Sequence, residues 1–511
     1  MQTVHIRVND AATGQPTPVR LRLTHANGTY HAPFGRLTEF ATTTGVDVGG
    51  NLLLAGEPAA YIDGTCEARL TPGTIRVEVD KGPEYVPLRE EIALAPGKLA
   101  LRLTIKRWTD LRAQGWYSGD TRCHFLTPHA ALLEAAAEDL AVVNLLAAEY
   151  EVPGPLGRTY QAISNILAFS GQQPALEMLG HLVVVNTHNI HPVLGSLGLL
   201  NCHRPVYPLR FGGPDGKDDW TLADWCDQCH RKGGLVVWTR PREEGSEEST
   251  LGEPLADLLL GKVDALEIDR FEDASFNVVG LWYELLTCGL RVPLVGASGK
   301  DSNAIALGGM RTYARLREGE AFSYRNWIEA VRAGRTFVTN GPLLTFTVNG
   351  CDPGTVLELQ PGTRTVHVSA QARSIIPFDY LEVLVNGVSR AVAQAEDKQR
   401  SAAIETDVEV PADGWVATRC GGTYQLFSRP TPQRVFAHTS PVYFRRTGPS
   451  LSADTEWAAR REEAAAYLMR HIDRMLDWVQ NEARCDTAKQ RDDLLTIFQS
   501  ARQELLRRQG P

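Results

Sequence analysis

The sequence predicts a multidomain α/β protein in which a distorted (β/α) barrel lies between two β-sandwiches and is followed by a helical tail. Three observations predict it. Near both ends of the chain, apolar residues alternate with polar ones, as half-buried strands require. In the middle, helical periodicity alternates with short apolar runs, the rhythm of parallel strands joined by crossover helices. Residues 451–511 carry helical stripes alone.

Residues 1–107 read as the first β-sandwich. VHIRV, VRLRLT, TIRVEVD and LALRLTIK each place apolar side chains on one face, and NDAATGQP, HANG, TPG and APGK separate them as turns. The segment DAATGQPTPVRLRLT, with the later GTCEARLTPGTIRVEVDKGPEY, resembles the transthyretin-like or carboxypeptidase-regulatory-like modules that precede many enzymes.

Residues 108–340 change rhythm. Thr127-Pro128 starts a helix, with a capping hydroxyl before a proline at the first helical position. HAALLEAAAEDL continues it, and AVVNLLA follows as a buried strand. TLADWCDQCHRK is a helix ended by Gly233-Gly234 and followed by the strand LVVWT. LADLLLG then leads to ALEI, and NVVGLWYELLTCG leads to VPLVGAS. Residues 341–446 return to strands, with Asn349-Gly350 and Asn386-Gly387 as hairpin turns that need positive φ. In the tail, Leu468, Ile472, Met475, Leu476 and Val479 form one apolar stripe, which packs on the barrel or on a sister subunit. A second helix starts at Asp486-Thr487, and these tail helices are the expected surface for homo-oligomers.

Composition narrows the function. The 511 residues exceed one ordinary core. A net charge of -9 argues against non-specific binding to nucleic acid or to an acidic membrane surface. No apolar leader opens the chain and no run of eighteen apolar residues occurs, so neither export nor a membrane span is expected. Nine cysteines, scattered and odd in number, fit reduced thiols in a cytoplasm. Cys226-Asp-Gln-Cys229-His230 spells a haem-attachment pattern, but its setting reads as a packed helix. GGPDGKDD at 212–219 suits a turn better than a phosphate cradle.

The chemistry concentrates between 115 and 342. GWYSGDTRCHF at 115–125 lies just before a helix, where loops at the C-terminal face of a parallel barrel place active-site groups. GQQPALEMLGHLVVVN, GGLVVWTRP, VGASGKDSNAIALGGMRTYARL and RTFVTNGP follow in order. Together these stretches resemble the CehA/McbA-type metallohydrolases of the polymerase-and-histidinol-phosphatase (PHP) superfamily. The resemblance covers about residues 108–345 and implies a PHP-like barrel. It further implies two or three divalent ions held by imidazoles and carboxylates, which activate water for hydrolysis.

The family's ligand positions fall on Arg122, His124, Gln173, His181, Arg240, Asp301 and Asn303, with Asp120 beside them. Gln173 follows from an ungapped alignment to Gly180-His181. Of these, Arg122, Gln173, Arg240 and Asn303 depart from the family pattern. Arginine has no lone pair to give a metal and always carries charge. At about 4 Å and an effective dielectric near 20, each unit charge repels another by roughly 4 kcal/mol, and a divalent ion by about twice that. Other polar residues nearby, His188 and His191 in NTHNIHP, Cys202-His203 and Glu149, read as loop or surface groups.

The resemblance and its departures leave three readings. In one, the old active-site pocket belongs to a pseudoenzyme or binding protein, and Arg122 and Arg240 hold a small anionic ligand with no cofactor. In another, a metal-dependent hydrolase of ester, carbamate or phosphoester bonds keeps a single zinc, manganese or iron on His124, His181 and Asp301. In the third, compatible with either, the arginines brace buried carboxylates such as Asp120, Asp301 or Glu267.

Overall fold

The computed structural model describes residues 1–43, 45, 47–153, 158–212, 220–241, 251–269, 278–411, 413–424, 433–446 and 455–509. The turn expected at 212–219 lies, apart from Gly212, outside the described residues. The chain is a multidomain mixture of strands and helices.

The alternation seen near the N-terminus forms two facing sheets. One runs in the order Thr65–Leu70, Gln2–Asp10, Ala100–Arg107, Tyr85–Val86. The other runs Asn51–Leu54, Glu57–Ile62, Val19–His25, Gly73–Asp80, Leu88–Leu94. The inward members Val4, Ile6, Val8, Leu21, Leu23, Val77 and Val79 are fully buried between them.

In the central region, Trp116–Cys123 pairs parallel with Val142–Pro153, which pairs parallel with His181–His191. The sheet continues through Gly195–Leu200 and Leu235–Thr239 to Ala265–Asp269 and Leu294–Ala297. Its two ends then meet. Cys123 bridges Lys300 in parallel, and the His124 amide donates to the Lys300 carbonyl at 2.7 Å. The sheet is not purely parallel. NTHNIHP, whose histidines read as loop or surface groups, belongs to a hairpin in which His181–His191 turns back antiparallel onto Gly195–Leu200. His191 makes the turn by accepting the amides of Val193 and Leu194 on Nδ1.

Helices α1 (Pro128–Ala137), α2 (Leu222–Arg231), α3 (Glu253–Leu259), α4 (Val278–Thr287) and α5 (Tyr324–Arg332) accompany this sheet. The cap read from the sequence is present: the Thr127 hydroxyl accepts the Ala130 amide. Thr221, read as the first residue of its helix, stands just before it and forms a reciprocal capping box with Asp224. Each such cap is worth about 1 kcal/mol. The Cys226–His230 stretch lies on α2, with both cysteines buried. Helix α5 closes one end of the closed sheet. Trp327 presses so near Gly119 that a Cβ there would sit 2.4 Å from the indole, so only glycine fits.

The C-terminal strands form a three-stranded sheet, Leu343–Val348, Thr365–Arg373 and Ser401–Glu409, facing a second layer. Asn349-Gly350 and Asn386-Gly387 both turn with positive φ, as the sequence requires. The second layer is continuous with the central sheet. Thr336–Thr339 pairs with Arg311–Arg315 on one side and with Gln433–Thr439 on the other. The transition expected near 340 is therefore a shared strand and not a linker. Helices α6 (Thr455–Asn481) and α7 (Ala488–Gln509) pack on each other. Leu468, Ile472, Met475 and Val479 are buried in the cluster that also holds α4 and α7 side chains. That burial within one chain leaves the expectation of self-association without its motive. No helix among the described residues is long and apolar enough to cross a membrane.

Candidate functional site

Alternation along the central strands decides what reaches the interior. Ala265, Glu267 and Asp269 share one face of their strand, as do Val237 and Thr239 of theirs, and Leu182, Val184, Asn186 and His188 of another. The lower members, Leu182, Val184, Val237 and Ala265, pack with Tyr324 and Trp327 of α5. Above them the Tyr324 hydroxyl donates to Asn144 Oδ1 at 2.6 Å and accepts from Asn186 Nδ2 at 3.0 Å. The polar members Glu267, Asp269, Thr239 and His188 follow at the strands' outgoing ends.

Arg122 enters this layer from Trp116–Cys123 and is fully buried. Its Nε donates to Glu267 Oε1 at 2.8 Å, and its Nη2 to Asp269 Oδ2 at 2.6 Å. Its Nη1 is buried with no acceptor among the described residues. Burial opposes the guanidinium charge, but Glu267 and then Asp269 outweigh it and raise the pKa above the ordinary value. Burial pushes Glu267 up to about 7, against the pull of Arg122, and the Asp269 charge adds to the rise.

His124 donates from Nδ1 to the Leu146 carbonyl at 3.1 Å, and its ring stacks on that of His188 with centroids 5.2 Å apart. His188 Nε2 meets Thr239 Oγ1 at 2.9 Å, and that hydroxyl meets Ser196 Oγ at 2.9 Å. Both imidazoles are neutral near pH 7. Burial, then Arg122 and Arg240, bring His124 down to about 3. Burial, then His124 and Arg122, hold His188 well below the usual range.

Arg240 follows Leu235–Thr239 in left-handed backbone with φ 47° and keeps solvent-exposed surface. Partial desolvation and then the nearby Arg122 charge lower its pKa, against Asp269, Glu267 and Asp301. Asp301 is half-buried within electrostatic reach of Arg240. The structure thus brings Arg122, His124, Arg240 and Asp301 into one neighbourhood.

Four other residues named from the sequence do other work. Asp120 is fully buried and braces backbone, accepting the amides of Arg122, Ser298 and Gly308. His181 begins the strand that carries His188 further along, so it lies about 23 Å away at ~3.3 Å per residue. There its Nδ1 approaches the Leu140 carbonyl at 2.6 Å, and burial followed by the Arg112 charge lowers its pKa to about 4. Gln173 is exposed in the turn that precedes Leu176–Met178, beside the middle of that same strand, where the Ser170 and Gly171 amides donate to the Val185 carbonyl. Asn303 is fully buried, but its amide is fully engaged elsewhere. It accepts the Gly49 amide at 2.9 Å and donates to the Ala41 and Asp47 carbonyls at 3.2 and 2.7 Å. The set His124, His181 and Asp301 is therefore not assembled as metal ligands. Among the described residues, no three His, Cys, Asp or Glu side chains are grouped as a metal would require.

The sequence reading sets His188 aside as a loop or surface group and does not name Thr239 or Asp269. A signal exists for the last two. LVVWT and ALEID are buried strands, so the polar residues at every second position share the interior face. Searches against protein-family models, curated proteins and solved structures found no match.

Proposed function

We propose that the central region is a divergent PHP-like barrel whose mouth binds a small carboxylate or phosphate, with an arginine standing where the family holds a cation. The carrying observation is Arg122. Glu267 and Asp269 grip two of its nitrogens, and Nη1 is buried without an acceptor among the described residues. An unmet buried donor costs about 1–3 kcal/mol, which an incoming oxyanion would relieve. Arg240, exposed beside the same carboxylates, supplies the second positive contact. The closed path of strand pairing and the place of the polar layer at the outgoing strand ends support the barrel reading.

In this reading Arg122 is a fixed internal countercharge that orients one donor toward the ligand. Neutral His124 and His188 offer hydrogen bonds without adding charge. Among the described residues no three metal-ligating side chains are grouped, and in this reading the site recognises its ligand without hydrolysing it.

The test is calorimetric titration of chelator-treated full-length protein with phosphate, acetate, zinc and manganese in separate runs. Stoichiometric anion binding with weak or no metal binding is expected. Tight stoichiometric metal binding without an anion response would overturn the proposal in favour of a metal-dependent hydrolase.

A further inference from the structure

A second cavity lies away from the mouth, where the end of α4 meets the C-terminal strands and the first turns of α6. It holds about 190 Å³ of free space. Part of its wall is apolar or aromatic, with Leu286, Leu290, Trp415, Tyr443 and Trp457, and the rest is polar. Three arginines line it too, Arg291, Arg445 and Arg461, against one carboxylate, Asp413. In a chain of net charge -9, this excess of arginine over carboxylate around an aromatic hollow needs an account.

Two further observations point to a ligand. Trp415 is 1% exposed, yet its indole N–H has no acceptor among the described residues. Buried indole N–H groups ordinarily find a partner. Arg291 also lies over the Tyr443 ring, 5.6 Å from its centroid, with its side chain exposed at the rim. That placement keeps a guanidinium at the opening with its fork accessible to a carboxylate. Size sets the other limit. An apolar cavity of about 150 Å³ accepts a benzene ring, so this one takes a single ring with a small substituent.

We propose that this cavity is a binding site for a small aromatic anion, a single ring bearing a carboxylate, with the ring between the aromatic walls and the carboxylate at Arg291 and Arg445. The site is separate from the barrel mouth and does not depend on the reading given to it.

Binding is tested by titrating full-length protein with benzoate, with benzyl alcohol (the ring without the charge) and with acetate (the charge without the ring). The titrations run in an Arg240→Ala background, which weakens the site proposed at the mouth. Benzoate is expected to bind at least tenfold more tightly than either partial probe. Adding Arg291→Ala and Arg445→Ala should reduce its affinity at least tenfold. Both side chains are exposed, so the fold should tolerate the change. Trp415→Phe keeps the aromatic wall and removes the donor, and should weaken benzoate several-fold. Benzoate binding no tighter than acetate, or unchanged by the two arginine substitutions, overturns the proposal.

Discussion

Arg122 Nε stands 2.8 Å from Glu267 Oε1 with both side chains essentially out of contact with solvent. The pair joins Trp116–Cys123 to Ala265–Asp269, and the carboxylate of Asp269 completes the grip. Of the roles open to Arg122 from the sequence, bracing Glu267 is thus visible in the geometry. It is compatible with anion binding because one nitrogen remains over.

This pair gives the first prediction. Arg122→Met keeps an unbranched apolar stem, removes the guanidinium and leaves the carboxylates of Glu267 and Asp269 without their partner. Removing one partner of a buried pair costs about 3–5 kcal/mol. Glu267 already sits near 7, and loss of Arg122 raises it further. A carboxyl whose folded pKa exceeds its unfolded value, about 4.3, favours the native state at low pH and loses that advantage as pH rises through the folded value. Urea denaturation should therefore show a larger loss at pH 8 than at pH 5.5. An equal loss at both would mean that Glu267 does not take up the proton.

Arg240 makes the second prediction separable from stability. It is exposed, so Arg240→Ala should shift unfolding by no more than about 0.5 kcal/mol. Phosphate or acetate affinity at the mouth should nevertheless fall about tenfold, roughly 1.4 kcal/mol. Paired calorimetry and thermal melts would read both quantities. Unchanged anion affinity would remove Arg240 from the site.

Asn303 supplies the third. Its side chain donates to two carbonyls and accepts one amide between Ala41 and Gly49, tying the N-terminal sandwich to the central region. Asn303→Ala leaves those groups unmet and should cost about 2–3 kcal/mol. Asn303→Asp keeps the acceptor for Gly49 but turns an oxygen toward the two carbonyls, and should be at least as damaging. Chemical denaturation of both variants checks this, and a milder aspartate variant would contradict the bonding pattern.

His438 yields a prediction about acid. Its Nε2 meets the Tyr283 hydroxyl at 2.6 Å and its Nδ1 the Thr439 carbonyl at 2.7 Å, and burial brings its pKa down to about 3. The unfolded chain protonates this histidine near 6.5, so the native state gains stability above that pH and loses it as pH falls toward 3. The contribution to the slope approaches 1.4 kcal/mol per pH unit inside that window. In His438→Gln the dependence of unfolding free energy on pH between 4 and 6 should be shallower by about that amount. Identical slopes would show that the ring is not held neutral.

Much of the fold was legible because local periodicity is a physical demand of packing. Val4, Ile6 and Val8 alternate because one face of their strand is buried, and Thr127 and Thr221 announce helices because amides at a helix start need acceptors. The site was less legible. Arg122, His124, Arg240 and Asp301 were found by their place in short motifs at the outgoing ends of strands. Gln173 and His181 were placed by an alignment without gaps; His181 stands at the entry of a strand that carries His188 further along, and Gln173 in an exposed turn beside that strand's middle. His188 itself was hidden because the run from His181 to His191 gives no sign of turning back as a hairpin until Gly195–Leu200 pairs with it. Asn303 could not have been read from its own neighbourhood. Its partners lie more than 250 positions away, and a contact of that range leaves no periodic trace.

Thr336–Thr339 is hydrogen-bonded on both flanks, to the central sheet on one side and to the C-terminal layer on the other. A chain broken just after it would expose a row of amides and carbonyls on what had been an interior rung. Such an edge invites pairing with other chains. The C-terminal layer is consequently no detachable cassette.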